Sequence, residues 1–213
     1  MKKIVYNSEK FNWQNSIAKL FGVDYLHNIN ENVEVFKRET DQNTKFHSLF
    51  YDWIRKESTV KMYTDFINEV VRPLYDEEIV YQSIPTFRVC YPNNIAVGEF
   101  HKDKYYRNIE WAEKVKELNY FLPITDAFET NTIWVESEED KGDYKPMNCN
   151  YGELIQWDGS NLSHGNKINK TGMCRISMDF RVIKKSNYID SDHETINTKT
   201  KFGIGGYYKE TGE

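Results

Sequence analysis

Residues 174–182, Cys174-Arg175-Ile176-Ser177-Met178-Asp179-Phe180-Arg181-Val182, alternate without a break between apolar and polar side chains. A period of two is the mark of a strand whose faces meet different surroundings. Cys174, Ile176, Met178, Phe180 and Val182 share the apolar face. Arg175, Ser177, Asp179 and Arg181 share the other, which is turned either to water or into a polar pocket.

The same period recurs upstream. Phe87, Val89 and Tyr91 alternate with Thr86, Arg88 and Cys90, and Pro92-Asn93-Asn94 supplies a turn. Further strands are expected at 95–103, 118–124, 132–136, 151–157, 162–165 and 173–183, with Asp158-Gly159 as a tight turn. Short strands divided by turn clusters predict a mainly β sandwich or barrel. Residues 1–82 instead carry helical stripes: Phe46, Leu49, Phe50, Trp53 and Ile54 behind an Asn43-Thr44 cap, then Val60, Tyr63, Phe66, Ile67, Val70 and Val71 up to Pro73. The expected organisation is a helical support over 1–82, a β core over 83–185 and a C-terminal extension over 186–213, together one domain. In that extension Phe202-Gly203-Ile204-Gly205-Gly206-Tyr207-Tyr208 is expected to pack back onto the body. The charged, aromatic segment 104–117 reads as a helix or a flap, and 137–148 as a polar loop. Both are candidates for closing over a substrate, against the plainer reading of solvated loops.

Composition narrows the classes of function. The 213 residues carry a net charge of −5, which leaves no basic footprint for nucleic acid. No run of 18 apolar residues is present to span a membrane, and the N-terminal Ile4-Val5-Tyr6 run is too short for a secretion signal. Cys90, Cys149 and Cys174 lack CxxC spacing and read as reduced thiols of a cytoplasmic protein. Aromatic residues at 15% provide the bulk of a core when hydrophobic residues are only 39%.

Four residues stand out chemically. His101-Lys102-Asp103 closes the apolar run 95–100, and side chains two apart on a strand share a face. His164 follows the Asp158-Gly159 turn, and Arg175 lies eleven residues beyond it. Two imidazoles and one carboxylate on one side of a metal, with open positions opposite, suit non-heme Fe(II). Arg175 is suited to anchor a carboxylate because its planar fork donates two parallel hydrogen bonds.

The run Phe87–Asp103, with Arg88, Tyr91 and Gly98 leading into His101-x-Asp103, resembles the Fe(II)/2-oxoglutarate-dependent oxygenase superfamily. So does His164-Gly165-x-x-x-Asn169, followed by Gly172 and Arg175-x-Ser177. Leu118-Asn119-Tyr120-Phe121-Leu122-Pro123 together with Tyr151-Gly152-Glu153-Leu154 looks most like the streptomycin-biosynthesis-protein branch, related to the phytanoyl-CoA-hydroxylase-like enzymes. The resemblance covers about residues 85–183 and implies a double-stranded β-helix (jelly-roll) core. It also implies Fe(II) on His101, Asp103 and His164, and 2-oxoglutarate on Arg175 and Ser177. The implied reaction consumes O2, releases succinate and CO2, and hydroxylates a small polar metabolite such as an amino acid, sugar or secondary metabolite. Related halogenases resemble this pattern but carry a small residue where this chain has Asp103, so halogenation is disfavoured.

Four further residues have two readings each. Tyr91 matches a tyrosine that contacts the co-substrate in prolyl-hydroxylase-like members, or it is a core ring; strict alternation sets it on the opposite strand face from Arg88. Arg88 binds a substrate anion or forms a structural ion pair. Asn119 donates to co-substrate or substrate, and Trp134 walls the pocket or fills core. His27, His47 and His193 read as surface histidines. An alternative to the oxygenase is a non-oxidative cupin-like protein, either a sugar isomerase or a binding module, in which Arg175-x-Ser177 would have no dicarboxylate to hold.

Overall fold

The structure is a computed structural model, which describes residues 1–213 except 32, 38, 39, 97, 98, 192–200 and 213. It contains strands β1 (Lys2–Val5), β2 (Ile79–Gln82), β3 (Thr86–Cys90), β4 (Leu118–Pro123), β5 (Ile133–Val135), β6 (Lys145–Pro146), β7 (Glu153–Trp157), β8 (His164–Asn166), β9 (Arg175–Lys184) and β10 (Tyr208–Glu210). Among the described residues, four α-helices accompany them: α1 (Trp13–Phe21), α2 (Lys45–Ile54), α3 (Glu57–Phe66) and α4 (Ile109–Val115).

The alternating run quoted first is β9, the centre of the larger sheet. Along one edge β9 pairs antiparallel with β4; along the other it pairs first with β3 and then with β2. The order β1-β7-β4-β9-β2-β10, with β3 beside β9, makes this a seven-stranded sheet. A second sheet of three strands runs β6-β5-β8. Phe121, Ile155 and Trp157 of the large sheet pack with Val135 and Met147, so an apolar layer lies between the two sheets.

Helices cover the other face of the large sheet. Ile176, Met178, Phe180 and Val182 are buried in one cluster with Phe46, Phe50, Tyr63 and Phe66 of α2 and α3. Phe50 stacks on Phe87 at 4.2 Å, and Tyr120 stacks on Phe180 at 5.1 Å. With its apolar face spent on the helices, β9 turns Arg175, Ser177, Asp179 and Arg181 to the opposite side. Of these, Arg175 and Ser177 are buried and Asp179 and Arg181 largely so, which decides for the pocket over water.

Local signals explain the helices. Thr44 caps α2 by accepting from the His47 N–H, and Asn12 caps α1 by accepting from Asn15. Gly22, at φ 67°, ends α1 in the left-handed region. The second stripe continues α3 through one π-helical stretch, Ile67–Val71, and stops at the Arg72–Leu74 turn that contains Pro73.

Several expectations need correction. The chain before residue 82 is not wholly helical: β1 joins β7, and β2 joins β9 and β10. The buried stripe of α2 is Phe46, His47, Phe50 and Ile54, whereas Leu49 is exposed. His47 is therefore a core residue, set against the Phe87 ring at 5.5 Å, while His27 is half-buried and His193 lies outside the described residues. No strand forms over 95–103 among the described residues. The backbone donors there turn to β8 and the segment before it: His101 N–H goes to His164 O and Asp103 N–H to Gly159 O. Asp103 then opens a 3-10 turn, Asp103–Tyr106, and 104–117 continues into α4.

Candidate metal centre

His101 and His164 reach each other through an isolated antiparallel bridge, with N–H to carbonyl distances of 2.8 and 2.9 Å in the two directions. Gly165 makes this approach feasible: a Cβ there would lie 2.9 Å from the Phe100 ring and 3.0 Å from its Cα. The two imidazoles sit 4.4 Å apart, and Trp157 braces the His164 ring edge-on at 4.6 Å. His101 Nδ1 lies 2.8 Å from Glu99 O, and His164 Nδ1 lies 2.9 Å from Leu162 O. A carbonyl only accepts, so both Nδ1 atoms carry the proton and both Nε2 atoms present a lone pair.

Those lone pairs converge on Asp103. Its Oδ1 is 3.4 Å from His101 Nε2 and 3.7 Å from His164 Nε2. All three ligand atoms fall within 4.8 Å of one another. Ligand bonds of about 2 Å set adjacent donors about 3 Å apart, so the set fits one metal ion with little movement. Burial lowers the pKa of His164, keeping it neutral, and outweighs the opposing charge of Asp103. Burial pushes the Asp103 carboxyl up, but the Arg181 guanidinium outweighs it and holds the group well below the usual carboxylate range. His164 and Asp103 are thus in the protonation states that a cation requires.

The other oxygen of Asp103 faces away from the imidazoles. Oδ2 accepts from Asn119 Nδ2 at 2.9 Å and from Arg181 at 3.0 Å. Asn119 and Arg181 are direct partners in the β4–β9 register and so share a face. Asn119 was expected to donate to a co-substrate or substrate; here it donates to the carboxylate of the candidate metal-ligand set.

Further along the same face of β9, Arg175 is 1% exposed. Its Nε donates to Asn131 O at 2.9 Å and its Nη1 to Ser177 Oγ at 2.6 Å. Burial lowers the pKa of this guanidinium. Among the described residues it is ion-paired to no carboxylate, and Asn131 Nδ2 is buried without a hydrogen-bond partner. A buried cation with spare donors fits an anionic ligand.

The remaining candidates are placed elsewhere. Arg88, opposite Ser177 in the register, pairs with Asp41 at 2.6 Å and Asp179 at 3.6 Å. The Tyr91 hydroxyl donates to Glu31 at 2.9 Å from a fully buried ring. Trp134 donates to Glu129 O and lies under the Lys167 ammonium, 3.2 Å from the ring centroid. The sequence reading assigned no role to Asn131 or Glu117, and gave Gly159 only a place in a tight turn. Arg181 was visible on the polar face of β9, but its proximity to Asp103 depends on a turn that alternation does not encode.

Beside His101 opens a pocket of about 460 Å³, lined by Phe100, Lys102, Tyr105, Tyr106 and Tyr144 among others. Its walls come from both segments expected to flank a substrate, 104–117 and 137–148.

No family model matches the chain. The streptomycin biosynthesis protein StrG of Streptomyces griseus is 35% identical over 195 residues, covering 90% of this chain and 89% of that protein. Among solved structures, CytC3 with Fe(II) and alpha-ketoglutarate matches at a TM-score of 0.52 and 11% identity, over 86% of this chain and 72% of that one. EvdO2 from Micromonospora carbonacea var. aurantiaca, complexed with 2-oxoglutarate, matches at 0.50 and 10%, over 85% and 84%. At such identities these two establish likeness of fold. With StrG matched along nearly its whole length, the chain belongs to the family of the streptomycin biosynthesis protein StrG.

Proposed function

We propose that the protein is an Fe(II)- and 2-oxoglutarate-dependent oxygenase that hydroxylates a small polar metabolite. The observation that carries this reading is the pairing, in one intersheet space, of the His101–Asp103–His164 donor set with Arg175, a buried guanidinium without a carboxylate partner among the described residues. The facing sheets are read as the two halves of a double-stranded β-helix, with the metal at one mouth.

His101, Asp103 and His164 would hold Fe(II), and Arg175 with Ser177 would hold the distal carboxylate of 2-oxoglutarate. When bound, iron and co-substrate supply the oxidising power: O2 is consumed, 2-oxoglutarate leaves as succinate and CO2, and a substrate C–H becomes C–OH. The chain's own residues bind and orient. Both imidazoles are fixed by their Nδ1–H bonds, Asp103 by its bonds to Asn119 and Arg181, and Arg175 by Asn131 and Ser177. Preorganised donors of this kind need no rearrangement when the ligand arrives.

The pocket beside His101 is the proposed substrate site. Its volume lies in the range that encloses small organic molecules, and its tyrosine rings join an apolar wall to hydroxyl groups. Asp103 occupies the ligand position that halogenation would need free. A cupin-like isomerase gives no use to Arg175.

The test is anaerobic reconstitution with Fe(II), then oxygen, ascorbate and 2-oxoglutarate across a panel of amino acids, sugars and aminocyclitols. Succinate should form in step with a product heavier by one oxygen atom. The reading fails if His101→Ala forms succinate as fast as the unaltered chain.

A further inference from the structure

Arg181 lies largely buried among three carboxylates. Its Nη2 is 3.0 Å from Asp103 Oδ2, and its Nε is 3.5 Å from Glu117 Oε1. Its Nη1 reaches Asp179 at 3.5 Å, the Tyr207 hydroxyl at 3.3 Å and Gln82 at 3.4 Å. Glu117, 4% exposed, is held in turn by Arg107 at 2.7 Å and by the Tyr208 hydroxyl. The guanidinium therefore cannot swing away from Asp103 without breaking contacts to β2, to the chain leaving α4 and to the C-terminal segment. Asn119 reaches the same Oδ2 from the neighbouring strand.

The two oxygens of Asp103 are thereby unequal. Oδ1 faces the imidazoles, and Oδ2 is occupied by two donors. An octahedral ion holding two imidazoles and one carboxylate oxygen keeps three positions, two for a chelating 2-oxo acid and one more. A carboxylate bound through both oxygens would leave only two. We propose that Arg181, together with Asn119, is a positioning residue that restricts Asp103 to one-oxygen ligation and so preserves the third open position. The inference rests on the oxygenase reading and deepens it. It also gives the C-terminal segment a part in the site, because Tyr207 and Tyr208 brace Arg181 and Glu117.

Arg181→Lys keeps the charge but loses the planar fork that spans Asp103 and Glu117. Asn119→Ala removes the second donor and leaves the ion pair. Each variant is measured without oxygen for Mn(II) affinity, for 2-oxoglutarate affinity at saturating Mn(II), for the visible band of the Fe(II)–2-oxoglutarate chelate, and for metal-free thermal unfolding. The expected result is Mn(II) binding weakened about tenfold to a hundredfold, a comparable loss in 2-oxoglutarate affinity, and a shifted or weakened band. Asn119→Ala, the milder change, is expected to unfold close to the unaltered chain, which keeps the measurement readable if Arg181→Lys fails to fold. Mn(II) and 2-oxoglutarate affinities within about threefold of the unaltered chain in a folded variant, with the band unmoved, overturn the proposal. If the unaltered chain itself binds neither Mn(II) nor 2-oxoglutarate, the oxygenase reading falls first and this inference with it.

Discussion

A Cβ placed on Gly159 would come within 2.7 Å of the side-chain amide of Asn119. Gly159 is also the residue whose carbonyl accepts the Asp103 N–H, at 2.9 Å. One glycine thus holds the backbone of the proposed metal carboxylate and makes room for the amide that holds its oxygen. Gly159→Ala should displace Asn119 and weaken Mn(II) binding by about tenfold, the usual scale for losing an outer hydrogen bond to a ligand. Calorimetry on the metal-free protein checks this. Because φ at Gly159 is not in the left-handed region, backbone strain should not obscure the result. Unchanged affinity would mean that Asn119 finds another way to reach Asp103.

Arg175 and Ser177 offer a graded test of the co-substrate site. Arg175→Lys should raise the 2-oxoglutarate dissociation constant about tenfold to a hundredfold, since hydrogen bonds to charged groups are worth about 1.5–3 kcal/mol. Ser177→Ala should raise it less, by about twofold to tenfold. In turnover, both should move the KM for 2-oxoglutarate more than kcat. An Arg175→Lys variant with unaltered 2-oxoglutarate affinity would place the anchor elsewhere, with Arg88 the next residue to examine.

The residues proposed to carry this chemistry were legible because strand alternation and short spacings are local signals. β9 showed its two faces in the sequence, and the HxD, later His and RxS pattern needed no tertiary knowledge. The reasoning for His101 and Asp103 was nevertheless wrong in detail. They converge through a bridge to His164 and a 3-10 turn, not through a shared strand face. β1, β2 and β10 escaped notice because each is three or four residues long and is stabilised by partners remote in sequence, such as Lys2 opposite Gln156. Arg181 escaped for the same reason: its meeting with Asp103 is fixed by packing between β4, β9 and the 158–164 turn. His47 was misplaced because a histidine beside an apolar stripe looks solvated until the helix is rotated against Phe87.

That buried His47 has a consequence for acid stability. Burial, with the Arg88 charge adding to it, lowers its pKa to about 4 from the ordinary 6.5. Between those values the unfolded chain binds the proton and the folded chain does not. His47 therefore contributes stability above about pH 6.5 that is lost as the pH falls toward 4, by up to roughly 3 kcal/mol. His47→Phe, which keeps an aromatic ring against Phe87, should flatten that part of the profile. Denaturant midpoints at closely spaced pH values for both proteins give the comparison. Parallel curves would show that His47 takes up its proton without unfolding cost.

Tyr91 is the candidate whose surroundings argue most directly against a part in co-substrate binding. Its ring is fully buried beside Phe36, at 5.9 Å, in the cluster that joins the helices to the large sheet. Its hydroxyl donates to Glu31, which also pairs with Lys45 at 2.8 Å. Burial, reinforced by Glu31, raises the phenol pKa, so the hydroxyl stays a donor across the working pH range. Tyr91→Phe removes one hydrogen bond to a charged acceptor, worth about 1.5–3 kcal/mol. For a chain of this size that lowers the melting temperature by roughly 3–12 °C. The 2-oxoglutarate dissociation constant, measured on the same variant with Mn(II), should stay within about twofold of the unaltered value, since less than one neutral hydrogen bond is then at stake. A larger rise, with the melting temperature unchanged, would move Tyr91 out of the core and into the co-substrate site.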